Sequence, residues 1–263
     1  TLFGVAVWVL VFVHRLPRRI SLAEFVADLA AIMRIAGPAV LTNLATPIGG
    51  AFVLRTMAQF GDSAVAGAAI LGRITPVAYC AIFALSGAVG PIIGQNAGAG
   101  RYDRVRSTLA NALAFNLVYV ILVWLIMWLC ADLIVSAFSA SDQAEELIRF
   151  YCQFLVGAFS FNGILFVANA SFNNLHHPHW ATFFNFGRAL LGTIPAVYLG
   201  ARWYGPKGVL AGEAFGAMLF GLLAIAAAFT LVRRLERQQV SLDDGPPVVV
   251  PVEGLAVSRE PPL

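Results

Sequence analysis

The chain is built from long apolar runs separated by short polar or glycine-rich stretches. A helix needs about 20 apolar residues to cross the hydrocarbon layer of a membrane. Six runs meet that length, at 35–58, 76–97, 108–135, 148–172, 181–200 and 208–232, and predict six membrane-spanning helices, spans one to six. Residues 64–74 are apolar and rich in small residues, and read as the early part of the second helix. Residues 1–13 are apolar but too short to span, lack a starting Met, and run into the basic cluster His14-Arg15-Leu16-Pro17-Arg18-Arg19. A signal peptide places its charges before the apolar stretch. The segment 1–13 therefore reads as the end of a preceding transmembrane helix, and the chain as a fragment. Residues 14–34 form a basic linker whose part 21–33, with Glu24 and Asp28 among apolar positions, predicts an amphipathic interfacial helix. Residues 236–263 are Asp-, Pro- and Val-rich without a period and predict a disordered cytoplasmic tail.

Composition supports the same class. Hydrophobic residues make up 59% of the 263, and charged residues only 12%. Soluble domains carry about 25% charged residues. No basic stripe with interleaved aromatic residues is present, which argues against nucleic acid as a partner. Cys80, Cys130 and Cys152 lie in or beside apolar runs without CxxC spacing and read as small buried hydrophobes.

Arginine placement sets an orientation. Arg15, Arg18, Arg19 and Arg34 precede span one, Arg101, Arg104 and Arg106 follow span two, and Arg233, Arg234 and Arg237 follow span six. With six crossings all three groups fall on one side, and the 136–146 connection on the other side is acidic. The expectation is a multi-pass protein of the bacterial inner membrane with a cytoplasmic C-terminus. Arg202 and Lys207 on the far side weaken the asymmetry without reversing it.

Polar groups inside the spans are the candidate chemistry. In span one, Pro47 cannot donate to the Asn43 carbonyl, which leaves a free oxygen beside Asn43 and Thr46. Such groups in lipid need partners or a watery cavity. In span four, Asn162, Asn169 and Asn173 are spaced seven and four apart and share a helix face. Interhelical packing and a cavity lining are both open readings of that stripe. Arg188 in span five and Glu213 in span six are intramembrane charges, which are costly and are commonly paired or functional. Arg188 has the alternative of snorkelling to headgroups, and Glu213 of reaching the interface.

The run Gly90-Pro91-Ile92-Ile93-Gly94-Gln95-Asn96-Ala97-Gly98-Ala99-Gly100-Arg101 resembles a motif of the multidrug and toxic compound extrusion (MATE) family at the cytoplasmic end of a lobe's second helix. The stretches 37–43 and 61–67, and Phe166 to Asn174, resemble family segments in register with it. In the motif, Pro91, Gly94, Gln95, Asn96 and Gly98 read as architectural, with Gly100 suited to a left-handed cap. The resemblance covers about residues 30–235. It implies an all-α fold in which residues 35–235 are one six-helix lobe, the C-terminal one, of a twelve-helix, two-lobe transporter. The 14–34 linker then joins it to a missing N-terminal lobe. The implied function is an antiporter that exchanges H+ or Na+ for organic, drug-like and commonly cationic compounds by alternating access, with no other cofactor. Some members carry acidic residues in the first and fourth helices of this lobe. Thr46 and Asn162 fall near those positions and cannot titrate; the coupling carboxylate then belongs to the missing N-terminal lobe, where other members keep an aspartate in their first helix, or is Glu213, the one ion-coupling candidate in this chain. Substrate and cavity candidates are Asn43, Thr46, Pro47, Asn162, Asn169, Asn173 and Arg188.

Other classes fare worse. No nucleophile–base pair or paired carboxylates lie within a helix, so an enzyme is not expected. The His176-His177-Pro178-His179 run lacks a carboxylate or Cys partner, so no metal is assigned. A flippase for lipid-linked saccharides remains the nearest alternative, followed by an inactive truncated half-transporter.

Overall fold

The computed structural model describes residues 4, 5, 8, 9, 12, 21–140 and 142–243. The side chains of 240–243 and of several positions between 23 and 43, Asn43 among them, lie outside the described set. So do most of segment 1–13, residues 14–20 of the linker, and 244–263 of the tail. The described residues are helical almost throughout and contain no strand.

Helix α1 runs from Leu22 to Met57. The interfacial linker helix and span one were expected to be separate elements; they are one unbroken helix through Pro38 and Pro47. Gly37 removes the Cβ that a following proline would crowd, which eases the first passage. At about 1.5 Å per residue its 36 residues reach about 54 Å, far more than the bilayer core of about 30 Å. Span two is α2 (Asp62–Ala78) and α3 (Cys80–Gly98), so residues 64–74 do belong to it. Span three is α4 (Tyr102–Leu129), followed by the short α5 (Ala131–Ala137). Span four is α6 (Asp142–Phe150), a π-helical turn (Tyr151–Leu155), a 3-10 turn (Val156–Ala158) and α7 (Phe159–Asn174). Span five starts at α8 (Pro178–Phe186), with proline in the first turn where its missing N–H is harmless. It passes a π-helical segment (Gly187–Thr193) into α9 (Ile194–Asp243).

The chain reverses inside α9 at Gly205, with φ 60° and ψ −144°, so α9 supplies the end of span five and all of span six. Its helix continues to Asp243, so 236–243, expected as disordered tail, belong to span six's helix. Four described stretches are long and apolar enough to cross a membrane. The last, Pro178–Gln239, crosses twice because of this reversal. Spans five and six approach to backbone contact. Added Cβ atoms at Gly200 and Gly208 would strike each other's backbone, and one at Gly216 would lie 2.7 Å from the Thr193 nitrogen. Gly192, Ala196 and Gly200 thus face Gly216, Gly212 and Gly208 at four-residue spacing, the small-residue packing favoured in membranes.

The motif at the end of span two is a packing device. Added Cβ atoms on Gly90 and Gly94 would lie 2.7 Å and 3.3 Å from the Asn174 side chain at the end of span four. Asn174 Nδ2 meanwhile donates to the Ala170 carbonyl at 2.8 Å. Asn96 Nδ2 donates to the Ile92 carbonyl at 2.8 Å, whereas Gln95 and Gly98 face outward. Gly100 takes φ +71°, and the Arg101 N–H reaches the Asn96 carbonyl at 2.8 Å, which closes a Schellman cap. Gly100 also lies against Gln239, so the arginine-bearing ends of spans two and six meet. At the opposite end Arg149 pairs with Asp132 and, at 2.8 Å, with Glu145, and Lys207 pairs with Glu146 at 2.5 Å.

The breaks in spans two and four face each other and are cross-satisfied. At the Tyr79 break the Ile82 N–H bonds to the Tyr79 carbonyl, which frees the Ala78 carbonyl. Tyr119 Oη from span three donates to it at 2.9 Å. Tyr79 Oη donates to the Val156 carbonyl at 2.7 Å, and its ring stacks on Phe159 with centroids 3.7 Å apart. Trp124 Nε1 donates to the Gln153 carbonyl in the π-helical turn at 3.0 Å. Tyr79→Phe removes one of two hydrogen bonds to the buried Val156 carbonyl, which also accepts the Phe159 N–H, and is expected to cost about 0.5–1.5 kcal/mol. Reversible unfolding of the purified protein in mixed micelles checks this, with exposed Tyr204→Phe as a near-neutral control.

Candidate functional site

Beside the helix breaks lies an open cavity of about 360 Å³, walled by spans one, two, four, five and six. Its polar lining is Thr46, Thr75, Tyr151, Asn162, Arg188 and Glu213, set among Phe83, Phe159 and Phe166. Pro76 at its edge cannot donate to the Gly72 carbonyl, and both residues line the space. The π-helical turns of spans four and five contribute Tyr151 and Arg188. Such turns widen a helix locally and recur at functional sites.

The two charges do not meet. With Gly200 facing Gly208 and Gly192 facing Gly216, Pro195 lies opposite Glu213. Arg188 is seven residues farther from the Gly205 turn, on the order of 10 Å along the axis. The cavity is therefore elongated along the helices, with Glu213 toward the acidic end and Arg188 toward the arginine-bearing end. Arg188 Nη2 donates to Thr46 Oγ1 at 3.1 Å, while its buried Nε has no partner. Tyr151 Oη lies 3.4 Å from Thr75 Oγ1, and both line the cavity with Glu213. Glu213 thus stands among groups that can accept or relay a proton or donate oxygens to a small cation.

The structure brings together Thr46, Asn162, Arg188 and Glu213 from the sequence candidates. Arg188 does not snorkel outward, and Glu213 turns into the bundle. Asn43 lies on α1 with its side chain outside the described residues, and Pro47 lies on the exposed face of α1. The asparagine stripe does not line the cavity as a unit. Asn169 is half-buried with Oδ1 lacking a partner, and Asn173 is exposed. Seven residues of helix carry Asn169 about 10 Å past Asn162, beyond the floor of the cavity. Thr75 and Tyr151 escaped the sequence reading because nothing in their spacing separates them from interfacial residues. Asn116, in contrast, is a packing group: its Nδ2 donates to the Ser160 carbonyl at 3.0 Å, and Gly163 gives it room.

A multi-pass helical membrane bundle, broken at mid-helix beside an open cavity with polar groups among apolar walls, is the architecture of a membrane transporter. The family model MatE matches residues 38–199, and the chain belongs to that family. It is 33% identical over 225 residues to an uncharacterized 21 kDa protein of Pseudomonas savastanoi, covering 82% of this chain and 72% of that one. It is 30% identical over 230 residues to an FAD transporter of Shewanella oneidensis, covering 87% of this chain and 50% of that protein. Among solved structures it resembles the bent form of the Vibrio cholerae MATE transporter VcmN, with 24% identity and TM-score 0.74 over 83% of this chain and 49% of that one. It also resembles a MOP superfamily transporter of Pyrococcus furiosus, with 18% identity and TM-score 0.76 over 89% and 54%. The chain therefore spans about half the length of these transporters.

The cavity makes a direct prediction. In a background with Cys80, Cys130 and Cys152 replaced by Ala, Asn162→Cys should react with a water-soluble thiol reagent. Asn116→Cys, buried at the α4–α7 contact, should stay protected. Equal protection of both would mean that the cavity is dry.

Proposed function

We propose that this chain is the C-terminal lobe of a cation-coupled antiporter, driven by H+ or Na+, that exports organic, drug-like compounds across the bacterial inner membrane. The observation that carries this reading is Glu213 inside a polar cavity of a MatE-family bundle. A carboxylate in such a place can exchange its charge state, or a bound cation, as access alternates between the two sides. Thr46 and Asn162, near the positions where some family members carry acids, line the same cavity and are neutral. Glu213 takes over the coupling role in this lobe, from a different helix. The partner is a second, N-terminal lobe, and substrate passes between the two lobes. The C-terminus and the arginine-bearing ends are cytoplasmic.

Cationic cargo is the first reading. An anionic aromatic cargo is the second, favoured by the unpartnered Nε of Arg188 in the cavity and by the relative named an FAD transporter. Cells expressing the whole transporter should accumulate less ethidium, and an ionophore for protons or sodium ions should abolish the difference. Unchanged ethidium together with increased FAD in the medium would overturn the cationic reading in favour of the anionic one. No change in either would overturn export.

A further inference from the structure

A second cleft, of about 570 Å³, lies where the end of α1 meets the end of span five. Arg55 and Arg202 both line it, together with Gln59 and the rings of Phe52, Phe60 and Tyr198. It lies beneath the span five–six turn, because Gly205 sits against Phe60. This is the acidic end of the bundle, yet no acid lines the cleft: Glu146 pairs with Lys207, Asp132 and Glu145 pair with Arg149, and Asp62 and Asp142 lie outside its lining. Neither Arg55 nor Arg202 has a carboxylate partner among the described residues. Each lies in the last turn of its helical segment, where the helix dipole favours a cation. That accounts for one arginine per helix end, but not for two converging on a single cleft walled by aromatic rings.

The level of the cleft identifies its occupant. Trp203 and Tyr204 beside it are strongly exposed, and aromatic residues of this kind mark the headgroup zone of a bilayer. Arginine's fork of N–H donors matches phosphate oxygens in pairs. Gln59 and Tyr198 add neutral donors, and the phenyl rings suit the apolar body next to the phosphate. We infer that this cleft binds the phosphate of an anionic phospholipid, its headgroup held between Arg55 and Arg202 and its chains passing along Phe52 and Tyr198. Such a lipid would bridge span one to span five, elements that border the charged cavity deeper in the membrane.

Native mass spectrometry of the purified transporter, titrated with phosphatidylglycerol and with phosphatidylcholine, tests this. Phosphatidylglycerol should be retained preferentially, and Arg55→Gln and Arg202→Gln should each lower the preference about fivefold, the effect of one surface cation on an anionic lipid. Both side chains are exposed, so the single variants should keep their fold. A soluble arm uses riboflavin 5′-phosphate against riboflavin, followed by flavin fluorescence. Equal retention of the two lipids, or a preference untouched by either substitution, would overturn the proposal. Arginine-dependent binding of riboflavin 5′-phosphate, with phosphatidylglycerol retention unaltered, would reassign the cleft to a soluble aromatic phosphate and overturn the lipid.

Discussion

Backbone carbonyls set loose inside a membrane must find donors, and the centre of this bundle depends on how three side chains supply them. Span two breaks at Tyr79 and span four at 151–158. Tyr119 caps the first break, while Tyr79 and Trp124 cap the second. Without these bonds the breaks would leave backbone carbonyls short of donors in a medium that offers no water. With them, two helices can widen and turn at the same level, and the cavity occupies the space they vacate. Tyr79 serves both sides of this arrangement, as the residue at one break and the donor to the other.

The same economy governs the charges. Arg188 and Glu213 sit on adjacent spans held in register by glycine and alanine contacts, and that register keeps them about 10 Å apart along the axis. A direct ion pair would be electrically quiet. Held apart, Arg188 leans on Thr46, and Glu213 is left to the cavity. Arg188 is thereby tied through Thr46 to α1, which borders the same cavity as Glu213.

Much of this was legible in the chain. Apolar run length predicts six spans, and arginine placement predicts the end where Gly100 and Gln239 meet. The Gly90–Arg101 motif was legible as a run of small residues, whereas the contact of Gly90 and Gly94 with Asn174 depends on a partner 80 residues away that spacing cannot reveal. The stops of the helices were less legible. Pro38 and Pro47 look like breaks and are not, whereas Tyr79, with no breaking residue at its own position, ends a helix under tertiary demand. The asparagine stripe illustrates the limit of periodicity: a shared helix face places residues on one side, but not at one depth. Glu213 and Arg188 were visible as misplaced charges. Their separation became visible only with the Gly205 reversal, and the four-residue glycine spacing around it was the available signal.

The central claim is that Glu213 couples cation movement to transport in this lobe. Its most direct test is uptake of ethidium by the whole transporter in proteoliposomes, with and without an imposed proton or sodium gradient. If the account is right, Glu213→Gln will still exchange substrate down its own gradient but will no longer accumulate it uphill. Uphill accumulation by Glu213→Gln equal to that of the unaltered protein, with the same dependence on pH or sodium, would contradict it.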